Sequence, residues 1–349
     1  MNYLDEKSAR KVVLEASIRL LESGLVERTW GNVSMRISSD KFLITPSGRS
    51  YEDMKEEDLS LVSISDLSYS GKYKPSSEKG MHSEIYKVRD DATFIIHTHQ
   101  TYASILSIKG KDFDIYPCAH YALSSTKALA TSVANAFKNK EAKVVLMPHH
   151  GVVSIGKDPA EAFDNAITLE SKAKEEVMKK VSSEVKGEDI GRSKRVKDGF
   201  ILSYNGQERV CSFDDDSFPA SLHARIYTSY PLINFIASED SNYSAAVSSF
   251  KETISPNIDD ATMIAGRTIR YSDYHSCIKK LKNRNAIYLP SSALVISSEE
   301  GDIDALLSLV KKNSIAELYR RAVKAKSVPA FSAFLERFVY LKKYSKRKN

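Results

Sequence analysis

Slid against itself by 141 residues, the chain repeats a helix-then-strand segment: HSEIYKVRDDATFIIHTHQTYASILS from His82 falls on HARIYTSYPLINFIASEDSNYSAAVS from His223. Seven of 26 positions coincide, among them His82/His223, Tyr86/Tyr227, Phe94/Phe235 and Ile95/Ile236. Further on, KNKEAKVVLMPHHGVV and KNRNAIYLPSSALV follow in the same order. A chain of 349 residues has room for two domains at roughly 100–200 residues each, and a shared pattern at this offset points to a degenerate duplication. The polar stretch 182–217, with acids at Asp214–Asp216, marks the junction and encloses one strand pair, GFILSY and ERVCSF, around Asn205–Gly206. The expected domains are 1–185 and 186–349.

In the first half, apolar spacing predicts a helix over 6–23 stopped by Gly24. TWGNVSMRIS follows as a turn leading into a strand and KFLITPSGRS as a short strand running into a Pro-Ser-Gly turn, then a hairpin in SLVSISDLSYSGKY turning at Ser70–Gly71. Ser77–Val88 is helical, with Met81, Ile85 and Val88 on one side. ATFIIHTH is a strand buried on both faces, because Phe94, Ile95 and Ile96 run without a polar break. Two helices, two short strands joined at His149-His150-Gly151, and a long helix opened by Pro159 complete the unit. Alternating strands and helices make the fold α/β.

Several function classes drop out on composition. With 42% hydrophobic and 28% charged residues the chain is neither disordered nor fibrous, and no apolar run approaches the roughly 20 residues that span a bilayer. Cys118, Cys211 and Cys277 are too few and too scattered for a disulfide framework or a thiolate metal site. The N-terminus has no apolar core of a secretory signal, so the reading is a cytoplasmic protein with no membrane partner. Residues 311–349 carry 12 Lys/Arg against 2 Glu, a charge of +10 in a chain whose total is +6. Tyr340 and Tyr344 stand among them, but without a nucleic-acid-binding signature this is read as a solvated helix face, not a nucleic-acid contact.

The chemistry is concentrated in histidines. His97 and His99 lie two apart at the end of the buried strand, so both point to one face. A third imidazole from the His149-His150-Gly151 turn completes a three-nitrogen site with the open position that catalytic zinc needs. Glu78, just before a helix in Pro75-Ser76-Ser77-Glu78, supplies an acid or base. Three turns rich in glycine and hydroxyls, Gly31-Asn32-Val33-Ser34, Thr45-Pro46-Ser47-Gly48 and Ser76-Ser77, offer amides and hydroxyls to an anion.

These motifs, in this order, resemble the class II aldolase/adducin family over roughly residues 6–180, with L-fuculose-1-phosphate aldolases among its zinc-dependent members. The resemblance implies a central mixed sheet flanked by helices. It implies one Zn2+ (or another divalent ion) per chain on His97, His99 and His150, and a phosphate cradle of Gly31, Asn32, Ser47, Gly48, Ser76 and Ser77. It implies that Glu78 is the catalytic acid/base. The implied reaction is retro-aldol cleavage of a phosphorylated ketose to dihydroxyacetone phosphate and an aldehyde, a Lewis-acid metal stabilising the enediolate charge. Family aldolases take a tyrosine from a neighbouring subunit to protonate the aldehyde's alkoxide, and Tyr121 in CAHYALSS is the nearest match. The family's 4-epimerases resemble Pro-Ser-Ser-Asp where this chain has Glu78, whereas a related dehydratase carries glutamate. Dehydration or epimerisation on the same zinc site, and a non-catalytic adducin-like scaffold, are the alternatives.

In the second half Pro219 falls on Glu78, Ser238 and Asp240 on the histidine pair, and Ser291-Ser292 on His149-His150. That copy is expected to bind no metal and to act as an interface domain in a homo-oligomer, and the partner of the first half is expected to be a small phosphorylated sugar.

Overall fold

Alternation along the strands decides which side chains meet which helices, and it shows at once around Phe94–Ile96. The computed structural model describes residues 3–26 and 30–343, so Tyr344 and the last basic residues of the tail lie outside it. The chain divides into two compact units, one ending at Val177 and one beginning at Met178. Residues 181–191, which include the expected 185/186 junction, have no regular structure. No helix among the described residues is long and apolar enough to cross a membrane, and all three cysteines are free.

The first unit runs α1 (Glu6–Glu22), β1 (Gly31–Arg36), β2 (Lys41–Ile44), β3 (Ser60–Ser63), β4 (Tyr69–Ser70), α2 (Lys79–Val88), β5 (Phe94–Thr98), α3 (Thr101–Ser107), α4 (Lys127–Ala136), β6 (Val144–Met147), β7 (Gly151–Gly156) and α5 (Pro159–Met178). Its strands form one sheet in the order β4-β3-β2-β1-β5-β7-β6. These neighbours all pair antiparallel, and a short parallel bridge sets Cys118 beside Leu146 on β6. Asp5 caps α1 by accepting from the Ser8 amide at 3.0 Å, and Gly24, at φ +69°, turns the chain out of it.

Each face of this sheet carries its own core. Phe94 and Ile96 pack with Val13 and Leu20 of α1 and Phe163 of α5, whereas Ile95 packs with Ile85 and Tyr86 of α2, Val133 of α4 and Phe137 at the end of that helix. Both faces of β5 are therefore apolar, as its unbroken run requires. The hairpin differs from expectation. Leu61 pairs with Ser70 and Val62 with Tyr69, so the turn falls at residues 64–68 and not at Ser70–Gly71. Asp66 accepts from the Ser68 amide at 2.9 Å and Leu67 takes φ +63°; the local carboxylate turn prevails over glycine as the turning point.

The second unit comprises β8 (Arg192–Val196), β9 (Gly199–Tyr204), β10 (Gln207–Cys211), α6 (Ala220–Ser229), β11 (Phe235–Glu239), α7 (Asn242–Ser249), α8 (Asp259–Ile264), β12 (Arg270–Tyr271), α9 (Cys277–Leu281), β13 (Ala286–Leu289), β14 (Ser292–Ser297), α10 (Glu300–Val323) and α11 (Ala330–Lys343). Its sheet order is β10-β9-β8-β11-β14-β13-β12. The expected β9–β10 hairpin is present, its turn held by Asn205 and Gly206 at positive φ. Strand β8 is an addition: RSKRV reads as polar linker, yet it pairs with both β9 and β11. Only Ser193 of β8 is buried; its other positions are exposed or half-buried, so little apolar signal announced the strand.

Ser193 anchors a buried cluster. Its hydroxyl lies 2.7 Å from His223 Nδ1 and 2.8 Å from the Tyr227 hydroxyl, and His223 Nε2 donates to the Ile190 carbonyl at 2.8 Å. Burial pushes the His223 pKa down from 6.5 to about 4, although the Ile190 carbonyl and Asp189 act the other way. The unfolded chain therefore takes up this proton near pH 6.5 and the folded chain only near pH 4. The resulting stability is intact above pH 6.5 and drains away as pH falls through that window. The urea midpoint is expected to fall between pH 7 and pH 4.5, and His223→Gln to flatten that dependence, as followed by circular dichroism.

Candidate metal centre

Strand β1 places Val33 and Met35 in the α1 face of its sheet, so Asn32, Ser34 and Arg36 project to the α2 face. All three are buried, and a buried polar row must find partners. Helix α2 meets it with Glu78 at its cap, His82 and Tyr86, spaced by four. The Ser34 hydroxyl lies 2.6 Å from His82 Nδ1 and 2.8 Å from the Tyr86 hydroxyl. His82 Nε2 donates to Asn32 Oδ1 at 2.5 Å, and Asn32 Nδ2 donates to Glu78 Oε2 at 2.9 Å. Arg36 caps the far end by donating to the Tyr86 carbonyl at 3.1 Å.

Backbone register brings the histidines to this row. His97 on β5 pairs with Asn32 on one side and Val153 on the other, and it shares Ile95's face. His99 follows at the strand end, and the β6–β7 turn delivers His150, whose amide donates to the Met147 carbonyl at 3.1 Å. His149 takes φ +64° in that turn, an uncommon conformation for a residue with a side chain. The ring centroids of His97 lie 4.6 Å from His99 and 5.0 Å from His150, and those of His99 and His150 are 4.7 Å apart. One nitrogen from each ring falls within 4.8 Å of the others, and all three residues are buried.

The donor set fits a divalent metal. His97 Nδ1 donates to the Val152 carbonyl at 2.9 Å, which leaves Nε2 with its lone pair toward the other rings. Burial pushes the His97 pKa down to about 3, Glu78 opposing and His99 and His150 adding to the shift, so the ring is neutral, as a ligand must be. The Glu78 carboxylate faces the cluster, Oε2 3.2 Å from His97 Nε2 and Oε1 3.3 Å from His150 Nε2. Burial works to raise its pKa, and the neighbouring imidazoles, wherever one of them carries a proton, pull it well below the usual carboxylate range.

The three segments expected to hold an anion lie beside Glu78, although Gly31-Asn32-Val33-Ser34 is not the expected turn but the start of strand β1, paired with β5 and β2. Thr45 and Val33 exchange bonds, the Thr45 amide donating to the Val33 carbonyl at 3.1 Å and the Val33 amide to Thr45 Oγ1 at 3.3 Å. The Ser76 amide donates to the Thr45 carbonyl at 3.0 Å and the Ser47 amide to the Lys74 carbonyl at 2.9 Å. Ser76 Oγ accepts from the Glu78 amide at 3.2 Å, and Ser77 accepts from Ser125 Oγ at 2.9 Å. Gly48 and Ser77 are exposed, Ser47 and Gly31 half-buried. Of the six cradle residues, Asn32 differs in having both ends of its amide committed to Glu78 and His82. Tyr121 follows the segment that runs beside β6 and meets His149 edge-on at 5.5 Å between centroids. Sequence reasoning missed the seam through Ser34, His82 and Tyr86 as a connected path. Its signal was a buried strand with polar residues at alternate positions, facing a helix with polar groups every fourth residue.

Residues 11–177 match the model of the Class II Aldolase and Adducin N-terminal domain. This part of the chain is a class II aldolase/adducin-family domain. Similar solved structures include an L-fuculose 1-phosphate aldolase, 28% identical, covering 51% of this chain and 89% of its own, with a TM-score of 0.47. YgbL of Klebsiella pneumoniae is 24% identical over 49% of this chain and 89% of its own, at TM-score 0.45. L-fuculose-1-phosphate aldolase of Thermus thermophilus is 24% identical over 50% of this chain and 96% of its own, at TM-score 0.43.

Gly151 shows how tightly the centre is drawn. A Cβ there would fall on the Thr98 carbonyl oxygen of β5, so a side chain must push the His150 turn away from His97 and His99. Gly151→Ala is expected to weaken metal retention by on the order of tenfold while the protein stays folded, as read by metal analysis after dialysis against a graded chelator.

Proposed function

We propose that this chain is a divalent-metal-dependent lyase, with zinc on His97, His99 and His150, that cleaves a phosphorylated ketose by retro-aldol reaction to dihydroxyacetone phosphate and an aldehyde. The observation that carries this reading is the buried imidazole trio with the Glu78 carboxylate 3.2 and 3.3 Å from two of its rings, inside a domain of the class II aldolase/adducin family. When bound, the metal supplies Lewis acidity that stabilises negative charge on the substrate's oxygens. The chain supplies the rest. Glu78, ionised and held by Asn32, takes or returns the proton at the reacting carbon. Ser47, Gly48, Ser76 and Ser77, with the Gly31 backbone, grip the phosphate and hold the substrate in register with that carboxylate. Tyr121 is the candidate for the proton on the aldehyde oxygen, which leaves the substrate hydroxyl as the carbon–carbon bond breaks and is given back to that oxygen in the reverse, aldol direction.

Release of dihydroxyacetone phosphate from a panel of ketose 1-phosphates, with and without chelator, tests the reaction. Turnover is expected to vanish with chelator and to return with zinc. Glu78→Gln is expected to keep the metal and lose at least about 100-fold in kcat, whereas His97→Ala loses the metal itself. Consumption of substrate without dihydroxyacetone phosphate would point to dehydration or epimerisation on the same centre. A purified chain without a divalent ion would point to the adducin-like scaffold.

We infer further that the second unit is a degenerate copy of the first. Supporting this, β8, β9, β10, β11, β14 and β13 occupy in one sheet the successive places that β1, β2, β3, β5, β7 and β6 occupy in the other. The Ser193–His223–Tyr227 contacts match those of Ser34, His82 and Tyr86 in atoms and lengths. Its role is that of an interface domain in a homo-oligomer. Removing residues 190–349 is expected to change the assembly state, the turnover or both; light scattering and kinetics identical to the full chain would refute that role.

A further inference from the structure

Helix α11 turns its polar side inward. Ser332, Ala333, Glu336 and Arg337 form its buried face. Arg337 ties that face down by donating to the Ile264 carbonyl at 2.8 Å and to Asn285 Oδ1 at 3.0 Å. Phe331, Phe334, Phe338 and Leu341 follow one another at spacings of three, four and three along the other side. All four are exposed, Phe331 by 72% and the rest by 44–45%. Apolar stripes on helices ordinarily face a core, and one left outside marks a surface of contact. The tail was expected to show a solvated polar face; over α11 the outward face is aromatic.

Cations surround the stripe. Arg267 lies over the Phe334 ring, 5.6 Å from its centroid, and Lys342 over Phe338 at 4.5 Å. Behind them, burial and the charges of Arg270, Arg267 and Arg337 lower the Arg284 pKa, so four guanidiniums crowd one corner. Arg270 and Arg284 donate to the Lys280 carbonyl and to both oxygens of Thr268, and Arg337 to a carbonyl and an amide oxygen. These bonds, among the described residues, leave the cluster without a carboxylate partner. Like charges gathered with no counter-charge favour an external anion.

The same details select the partner. Single-stranded nucleic acid needs a row of open rings on which successive bases stack. Here Phe334 and Phe338 stack on one another, 6.1 Å apart and 18° from parallel, and each already carries a cation. Only Phe331 is left, and one ring is no platform. A second copy seated two-fold on the stripe would set Arg267 and Lys342 against their own images, in a tail that carries +10 over residues 311–349. An anionic lipid surface suits both parts, since the apolar side chains enter the acyl boundary while the flanking cations meet the headgroups. We propose that α11 docks the chain on anionic lipid, with Phe331, Phe334, Phe338 and Leu341 in the bilayer interface and Arg267 and Lys342 at headgroup level. The helix lies on the membrane and does not cross it, which replaces the expectation of no membrane partner.

The full chain is expected to sediment with vesicles of equal parts phosphatidylglycerol and phosphatidylcholine at least about tenfold more tightly than with phosphatidylcholine alone, and to be released by salt. The triple variant Phe331→Ser, Phe334→Ser, Phe338→Ser is expected to stay folded by circular dichroism and to bind at least about 100-fold more weakly. Arg267→Gln with Lys342→Gln, which leaves every ring in place, should lose about 10–30-fold. In Phe334→Trp, brominated acyl chains should quench emission beyond what Trp30 alone shows. No binding to the anionic vesicles, equal binding to neutral ones, or wild-type binding by either multiple variant overturns the proposal. A concentration-dependent dimer abolished by the serine changes would give the stripe to a second copy and overturn it too. So would a complex with poly-uridylate tighter than that with vesicles and lost in the same variant. None of these measurements depends on turnover.

Discussion

The β1–β5–β7 backbone ladder is the constraint on which this centre depends. It sets Asn32, His97 and Val153 in one row and Gly31, Thr98 and Val152 in the next. Because side chains alternate, that single register decides that His97 joins Asn32 and Ser34 on the α2 face, while Thr98 turns away to bond Gln100 at 2.8 Å. A slip of one residue would exchange the two sets, removing the imidazole from its neighbours and burying it among the apolar side chains of α1 and α5. Glycines keep the ladder tight at two places. A Cβ at Gly31 would stand 2.6 Å from the His97 carbonyl oxygen, and one at Gly151 would meet Thr98.

Much of this could be read from the chain because the signals were local. The unbroken Phe94–Ile96 run identified a strand covered on both sides, and the two-residue spacing of His97 and His99 put them on one face of it. The third imidazole was harder, since His149 and His150 are adjacent and only the family resemblance pointed to His150. The structure supplies the reason: the left-handed backbone at His149 turns its ring toward Tyr121 and leaves His150 toward the other two rings. What stayed hidden was relational. Asn32 follows Gly31 at the start of β1, in a segment expected from sequence to be a turn around an anion, and nothing in the linear order says that its amide is bound to Glu78, forty-six residues away.

The polar strands show the converse limit. RSKRV carries charge at Arg192, Lys194 and Arg195, so alternation gave no hint of a buried face. Its one buried residue, Ser193, is there for a hydrogen bond and not for apolar contact. Sheet edges and seams held by hydroxyls and imidazoles escape hydropathy patterns because their stabilisation comes from satisfied polar groups in a dry place, which a count of apolar residues does not register.

Helix α2 carries Glu78 at its cap and His82 and Tyr86 on the same stripe, so the carboxylate proposed to react and the buried imidazole and phenol behind it belong to one rigid element. A shift or tilt of that helix would carry all three side chains together, so their mutual spacing is inherited with the helix and not with the loops around it.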